Sequence, residues 1–438
     1  MRSKGKLENK VHVVTLGCSK NTVDSENLIT QLRYNNFEVQ HDASKNEANI
    51  VIINTCGFIE MAKKESIETI LQFAEAKNDG QIDRLLVTGC LSQRYKEELR
   101  EEIPEVDAWY GTMDMPALLA DLKADYKKEL IGERLITTPS HFAYLKISEG
   151  CNRTCSFCAI PLMRGKHVSR TIESLVHETS FLAERGVKEI MLIAQELTYY
   201  GLDRYKARKL PELLDLLVEV KGIEWIRLHY AYPNKFPLEI IDTMALHPKV
   251  CKYLDMPLQH ASNQMLSAMR RQITKQETVD LINTIRSKIP DIALRTTMLV
   301  GFPGETDEDF EELCTFVQEQ KFDRLGVFTY SHEEDTSAFQ LKDNVPEKVK
   351  IARQNRLMEV QREIAAAKNQ SKIGSVLQVI IDRKQASGWM GRSEADSPEV
   401  DQEIHILNPS SKLKAGDFVE VVITEADDYD LIGILNES

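Results

Sequence analysis

At 438 residues, 42% hydrophobic and 28% charged, the chain has the length for two to four domains and the balance of a soluble globular protein. No apolar run approaches the roughly 18 residues of a membrane span, and eight cysteines are too sparse for a disulfide framework. A net charge of −13 argues against broad nucleic-acid affinity, although a local basic face could hide inside an acidic total.

The opening segment, MRSKGKLENKVHVV, is basic and passes directly into a strand-like run, without the apolar core or cleavage site of a secretory signal. A cytoplasmic protein is expected, and in a reducing compartment clustered cysteines point to metal or redox work.

Residues 1–138 repeat one pattern: a short apolar run, a Cys beside a Gly, then an amphipathic stretch. VHVVTLG runs to Cys18, ANIVIINT to Cys56 and DRLLVTG to Cys90, with Gly17, Gly57 and Gly89 alongside. Helical periodicity follows at 25–34, 61–76 and 93–102, then a strand-like VDAWYG and a helix near 115–123. Alternating strands and helices predict an α/β domain on a parallel sheet. Its C-terminal strand ends share one edge, so the three cysteines converge where ligands bind. A second three-cysteine iron–sulfur site is favoured over three unrelated core cysteines.

The stretch LIGERLITTPSH at 130–141 breaks the periodicity and marks a boundary. A second α/β series occupies 139–371. Its strand-like segments are AYLKIS, KEIMLIA, WIRLHYA, KYLDMPL, LRTTMLV and LGVFTYS, with amphipathic stretches between them. Six such strands predict a parallel barrel, complete or partial.

Directly after the first of these strands comes CNRTCSFC, which places Cys151, Cys155 and Cys158 within eight residues. Thiolates are the usual ligands of iron–sulfur centres. Three ligands on a four-iron cluster leave one iron open, as catalytic metal sites leave a position open. Structural zinc would need a fourth ligand, for which His167 is the nearby candidate. Buried inert cysteines would not be separated by the polar Asn152, Arg153, Thr154 and Ser156.

CxxxCxxC with Phe157 before the last cysteine resembles the radical S-adenosylmethionine superfamily. The wider ISEGCNRTCSFCAIPLMRGKHVSR resembles, more narrowly, the methylthiotransferases, and that likeness covers nearly the whole chain. It implies a radical domain built as a partial (βα)6 barrel and two 4Fe–4S clusters, held by Cys18, Cys56 and Cys90 and by Cys151, Cys155 and Cys158. S-adenosylmethionine is the implied cosubstrate; a cluster electron cleaves it to a radical that takes hydrogen from an unactivated carbon. The second cluster then delivers a methylated sulfur. An electron donor such as flavodoxin or ferredoxin is implied as a partner.

Phe157, Gln195 and Arg295 are the implied cofactor-binding residues, and no catalytic residue is assigned beyond the cluster ligands. Gln195 corresponds to a contact with the cosubstrate's amino acid part, against the alternative of an exposed loop amide. Many relatives carry Asp or Asn where this chain has Glu196. Arg295 is read either as meeting a carboxylate at the barrel mouth or as a buried structural arginine. VGFPGET at 300–306 lacks the features of a phosphate loop and reads as a turn, with Thr306 capping the next helix and Asp309 answering it. The resemblance adds a nucleoside contact there. Arg164, Lys166 and Arg170 either guide an anion or belong to a solvated loop. Cys251 and Cys314 sit in apolar patterns and read as core.

Pro346 opens a charged helix to about 368, expected to pack outside the barrel. From 372 to 438 the pattern changes to short strands, SVLQVIID, GWMGRSE, EIHILN, DFVEVVITEA and YDLIGILN, predicting a small β-barrel. It resembles the TRAM domain that closes methylthiotransferase chains. Six basic residues stand against thirteen acidic ones in this segment, a net of −7. An acidic face repels tRNA and complements a basic protein. This charge and the EADSPEVDQE segment resemble the branch that modifies an aspartate β-carbon of ribosomal protein S-twelve, so that protein or the small ribosomal subunit is the expected partner and tRNA is not. The alternatives are a tRNA adenosine methylthiotransferase of the MiaB type, and a non-catalytic iron–sulfur or zinc scaffold.

Overall fold

The computed structural model describes residues 9–407 and 412–436; the basic opening residues 1–8 lie outside this range. The chain forms two compact units. The first holds the residues up to 138 with 144–152 and 159–181; the second holds 139–143, 153–158 and 182 onward.

In the first unit the chain runs β1 (Lys10–Thr15), α1 (Ser19–Tyr34), β2 (Glu38–His41), β3 (Ile50–Thr55), α2 (Glu60–Asn78), β4 (Arg84–Gly89), α3 (Cys90–Glu102), β5 (Ala108–Trp109) and α4 (Met115–Asp121). The sheet order is β2-β1-β3-β4-β5, and every pairing is parallel. Every residue of β3, IVIINT, is buried, as a strand covered on both faces must be. Its alternation splits the core: Ile50 and Ile52 pack with Leu28, Leu32 and Leu118, while Val51 and Ile53 pack with Ile70, Ala74 and Leu91. Strand β2 was not expected, because its EVQH sequence at the sheet edge carries no apolar run. Helix α1 begins six residues earlier than its apolar period suggests, since Lys20, Asn21, Ser25 and Glu26 are polar yet buried.

This unit continues through β6 (Phe142–Lys146), whose first two residues belong to the second unit, then β7 (Ser148–Glu149), α5 (Ile160–Arg164), β8 (Val168–Ser169) and α6 (Ile172–Glu184). The short strands β7 and β8 pair antiparallel.

The second unit contains β9 (Glu189–Ile193), α7 (Leu210–Leu217), β10 (Trp225–Leu228), α8 (Glu239–Leu246), β11 (Val250–Asp255), α9 (Asn263–Ala268), α10 (Lys275–Lys288), β12 (Ala293–Val300), α11 (Asp307–Gln320) and β13 (Arg324–Thr329). The six-stranded order is β13-β12-β11-β10-β9-β6, an open sheet and hence a partial barrel. Its open edge at β13 is protected by α12 (Glu347–Ser371), for which Pro346 is the N-cap and not the first helical residue. Gln354 Nε2 donates to Val327 O at 2.7 Å and Gln361 Nε2 to Phe322 O at 3.0 Å, satisfying carbonyls that an edge would expose.

The five expected C-terminal strands are β14 (Val376–Gln385), β15 (Gly388–Ser393), β16 (Ile404–Leu407), β17 (Phe418–Ala426) and β18 (Leu431–Leu435). They close into a barrel in the order β14-β15-β16-β18-β17 around Val379, Ile381, Trp389, Ile404, Ile406 and Val421. Among the described residues, no helix is long and apolar enough to cross a membrane.

Candidate metal centre

In the first unit Cys18, Cys56 and Cys90 stand at the junctions after β1, β3 and β4. The sheet order turns back between β1 and β3, and ligands of such sheets bind at that switch point, outside the carboxyl ends of the strands. Cys18 is exposed and caps α1, while Cys56 and Cys90 are buried. Gly17 has φ +97°, and a Cβ there would lie 2.6 Å from Cys56 Cβ and 2.9 Å from its Sγ, so only glycine lets the two turns approach. Burial pushes the Cys90 thiol up to about 12; the Arg164 guanidinium pulls it down, and the Cys18 and Cys56 sulfurs raise it again. Cys56 is likewise raised, by burial first and then by Cys18 among its neighbours. Cys18 and Cys56 thus both bear on Cys90 at this sheet edge.

The donor chemistry fits an iron–sulfur cluster: three cysteines at one sheet edge, with the buried Arg164 guanidinium beside the Cys90 turn. Among the described residues no group of three or more His, Cys, Asp or Glu side chains is already arranged to hold a metal. Ligation requires these thiols to lose their protons.

The second motif is anchored residue by residue. In the first unit Cys151 N–H donates to Gly165 O at 3.1 Å, and Gly150, with φ +75°, passes where any Cβ would overlap Lys166 O. In the second unit Ser156, which the sequence reading placed outside the core, is buried and pinned. Its N–H donates to Met269 O (3.1 Å), its Oγ donates to Ala268 O (2.8 Å), and its carbonyl accepts from Ala338 N–H (2.7 Å). Phe157 packs against Met265, Met269, Leu299, Phe302, Tyr330 and Ala338, which holds the flanking backbone still. Cys155 Sγ lies 3.3 Å from Arg271 Nη1 and 3.8 Å from the Tyr232 hydroxyl. The Tyr232 ring is covered by Arg271 at 4.2 Å and by Arg153 at 3.9 Å.

Gln195 follows the end of β9, beside Glu196, whose carboxylate pairs with Arg153 at 3.1 Å and accepts from Thr198 N–H at 2.7 Å. Glu196 is thus tied to the cysteine loop through Arg153. From the sequence, Arg295 reads either as a cofactor contact or as a structural arginine. Its guanidinium donates to Asp255 Oδ1 and Asp401 Oδ1, each at 3.1 Å, which ties the sheet to the segment before β16. The acidic charge of the tail is likewise partly internal. Asp396 pairs with Arg324, and Asp382 with Arg392 and His141, and among the described residues Glu399, Glu420, Glu425, Asp427, Asp428 and Asp430 are the exposed acids of this segment.

The remaining motif residues resolve as follows. Arg164 is buried, Arg170 pairs with Glu178, and Lys166 is exposed. His167, the zinc candidate, has Nε2 3.1 Å from Ser169 Oγ. The Gly301 turn is closed by Glu305 Oε2, which accepts from Phe302 N–H at 3.1 Å, and Thr306 with Asp309 forms the expected capping box. Cys251 and Cys314 are buried core thiols, pushed by burial up to about 12 and about 11.

Comparison with known proteins bears on this arrangement. Residues 145–317 match the Radical SAM superfamily, residues 10–111 the Uncharacterized protein family UPF0004, and residues 373–435 the TRAM domain. The "Ribosomal protein uS12 methylthiotransferase RimO" of Cytophaga hutchinsonii is 55% identical over 433 residues, 99% of each chain. That of Flavobacterium johnsoniae is 56% identical over 434 residues, again 99% of each. The chain belongs to the RimO family of radical S-adenosylmethionine methylthiotransferases. It is an enzyme, a transferase that uses S-adenosylmethionine and iron–sulfur chemistry. A solved structure of the radical S-adenosylmethionine methyltransferase TsrM from Kitasatospora setae superposes with a TM-score of 0.54 at 15% identity, covering 73% of this chain and 72% of that one. At that identity the likeness concerns the fold alone.

Sequence reasoning missed Asn21, Tyr232 and Arg271. Arg271 lies 116 residues from the cysteine it touches, and no local pattern marks such a pair. Asn21 carried a weak signal, a polar residue in the first turn after a candidate ligand.

Proposed function

We propose that this protein attaches a methylthio group to the β-carbon of an aspartate in ribosomal protein uS12, working in the cytoplasm with a flavodoxin- or ferredoxin-type electron donor. The observation that carries the reading is identity of 55% along 99% of the chain with a protein named for that activity. Three divisions share the work: residues 1–138 hold one cluster through Cys18, Cys56 and Cys90; residues 139–371 form the radical domain, with Cys151, Cys155 and Cys158 holding the other; residues 372–438 are the TRAM-like barrel. When bound, the clusters supply the electron that cleaves S-adenosylmethionine and the site from which sulfur is delivered.

The chain's own residues set the conditions for that chemistry. Ser156 and Phe157 fix the loop between Cys155 and Cys158 against α9 and the barrel interior, so the sulfurs start from a defined position. Arg271 Nη1 lies 3.3 Å from Cys155 Sγ and Phe157 packs into the adjoining apolar core, so both sides of the loop are held. Gln195 is proposed to meet the cosubstrate. Exposed acids on the hairpin between β17 and β18 attract a basic protein and repel tRNA, steering association more than final affinity.

The test is anaerobic incubation of the reconstituted enzyme with S-adenosylmethionine, a reductant, and either purified uS12 or tRNA. A mass gain of one methylthio group on uS12 is expected; modification of tRNA alone would overturn the assignment. Cys18→Ala should lose the first cluster's iron and retain the second's.

A further inference from the structure

Asn21 is fully buried at the start of α1, and its side chain reaches all three cysteine turns of the first unit. Its Nδ2 donates to Leu16 O at 2.7 Å, two residues before Cys18, and to Thr55 O at 3.1 Å, immediately before Cys56. Its Oδ1 lies 3.9 Å from Cys90 Sγ and accepts from Arg164 Nη2. Its carbonyl accepts from Asn54 Nδ2 at 3.0 Å, and Asn54 lies at the end of β3. An amide with donors and an acceptor on one rigid plane can bind two carbonyls and face a thiol at once. Replacing it by an apolar residue would leave buried carbonyls unpaired, at substantial cost.

Arg164 completes the arrangement. It ends α5, a helix that begins two residues after Cys158 in sequence, and it is buried. Asp24 accepts from its Nη1 at 2.6 Å and Glu149 at 3.3 Å, while Lys146 pairs with the same two carboxylates. Lys146 thus shares both carboxylates, and Arg164 is the cation whose guanidinium also reaches the cysteine turns through Asn21. The remaining guanidinium nitrogen is turned to Asn21, beside Cys90. A cluster held by three thiolates adds buried negative charge at that point, and buried charge is tolerated only with a fixed partner.

We infer that Asn21 and Arg164 are positioning residues of the first iron–sulfur site. Asn21 locks the turns of Cys18, Cys56 and Cys90 in register, and Arg164 supplies the buried positive charge that the assembled thiolate cluster faces. The inference rests on the reading of these cysteines as cluster ligands. Charge and hydrogen bonding around cluster sulfurs set the reduction potential, so the role has a signature that a merely structural ion pair would lack.

The experiment uses the full chain with Cys151, Cys155 and Cys158 changed to Ala, reconstituted anaerobically with ferrous iron and sulfide so that the first cluster alone is present. Iron content, the electron paramagnetic resonance spectrum and the midpoint potential are read. Arg164→Met removes a positive charge that favours the reduced cluster, so the reduction equilibrium should fall at least about tenfold, ~59 mV for one electron. Arg164→Lys should recover most of that shift. Asn21→Asp keeps size, adds a negative charge and removes both Nδ2 donors, and should lower the potential or lose the cluster's iron. If Arg164→Met does not fold, Asn21→Asp carries the test. A loaded cluster whose potential and spectrum are unchanged in the folded variants overturns the inference. Failure of the parent triple variant to take up iron instead overturns the ligand reading beneath it.

Discussion

Glu189 opens β9 with its carboxylate sealed between two guanidiniums, Arg227 Nε at 2.8 Å and Arg392 Nη2 at 2.7 Å, all three side chains being at most 2% exposed. Burial works to raise its pKa, but Arg392 and Arg227 outweigh burial and hold the carboxyl below its ordinary value of 4.5. Glu189→Gln keeps the volume and one acceptor oxygen, yet leaves Arg227 buried without a carboxylate, while Arg392 retains Asp382 at 2.7 Å. Breaking a buried pair by removing one partner costs about 3–5 kcal/mol. The retained Arg392–Asp382 pair places the loss near the low end, about 3 kcal/mol. At ~2–4 °C per kcal/mol for a unit of this class, Tm should fall by about 6–12 °C. Urea unfolding should show a lower midpoint at unchanged slope. In a double-mutant cycle with Arg392→Met the two changes should couple by more than about 1 kcal/mol, since they share one carboxylate. A Glu189→Gln loss below about 1 kcal/mol, with an additive cycle, would refute the pairing of this buried carboxylate with Arg227 and Arg392 as a source of stability.

Other consequences are as direct. Gly17→Ala must place a Cβ 2.6 Å from Cys56 Cβ at φ +97°, so the first cluster's iron should be lost while the Cys151–Cys158 site still loads; full iron content would contradict the glycine argument. His12 and His229 are both held below 6.5, chiefly by burial. A lowered folded pKa means that the unfolded chain takes up protons first as pH falls, so stability should be level above about pH 7 and decline below about 6.5. Tm measured from pH 5 to 8 checks the sign, and His229→Gln should flatten the slope. A Tm that rises on acidification through that window counts against it.

The large features were legible because their signals are local. Short apolar runs such as VHVV and IVIINT, each followed by a helical period, read as strands of a parallel sheet, and a cysteine after each falls on its C-terminal edge. The barrel was readable from alternation and turn residues in the same way. Strand β2 was not, because an edge strand with EVQH has no buried face to impose a period. The early turn of α1 was not, because its buried residues are polar and their hydrogen-bond partners lie elsewhere in the chain.

What the sequence displayed by itself was the candidate donor set: two sets of three cysteines, one of them in the CxxxCxxC spacing, on α/β frames followed by an acidic barrel. Spacing suffices for Cys151, Cys155 and Cys158, which are neighbours in sequence, whereas Cys18, Cys56 and Cys90 were legible through the repeated strand-then-cysteine pattern. The tertiary structure alone decided which charges are available. Arg295 is committed to Asp255 and Asp401, and Asp396 and Asp382 are neutralised by arginines, so composition overstated the acid left for a partner. It also brought Arg271 to Cys155, and Arg164 with Asn21 to Cys90. Ion pairs and buried amides are made between residues far apart in sequence, and their partners follow from packing, which no local period records.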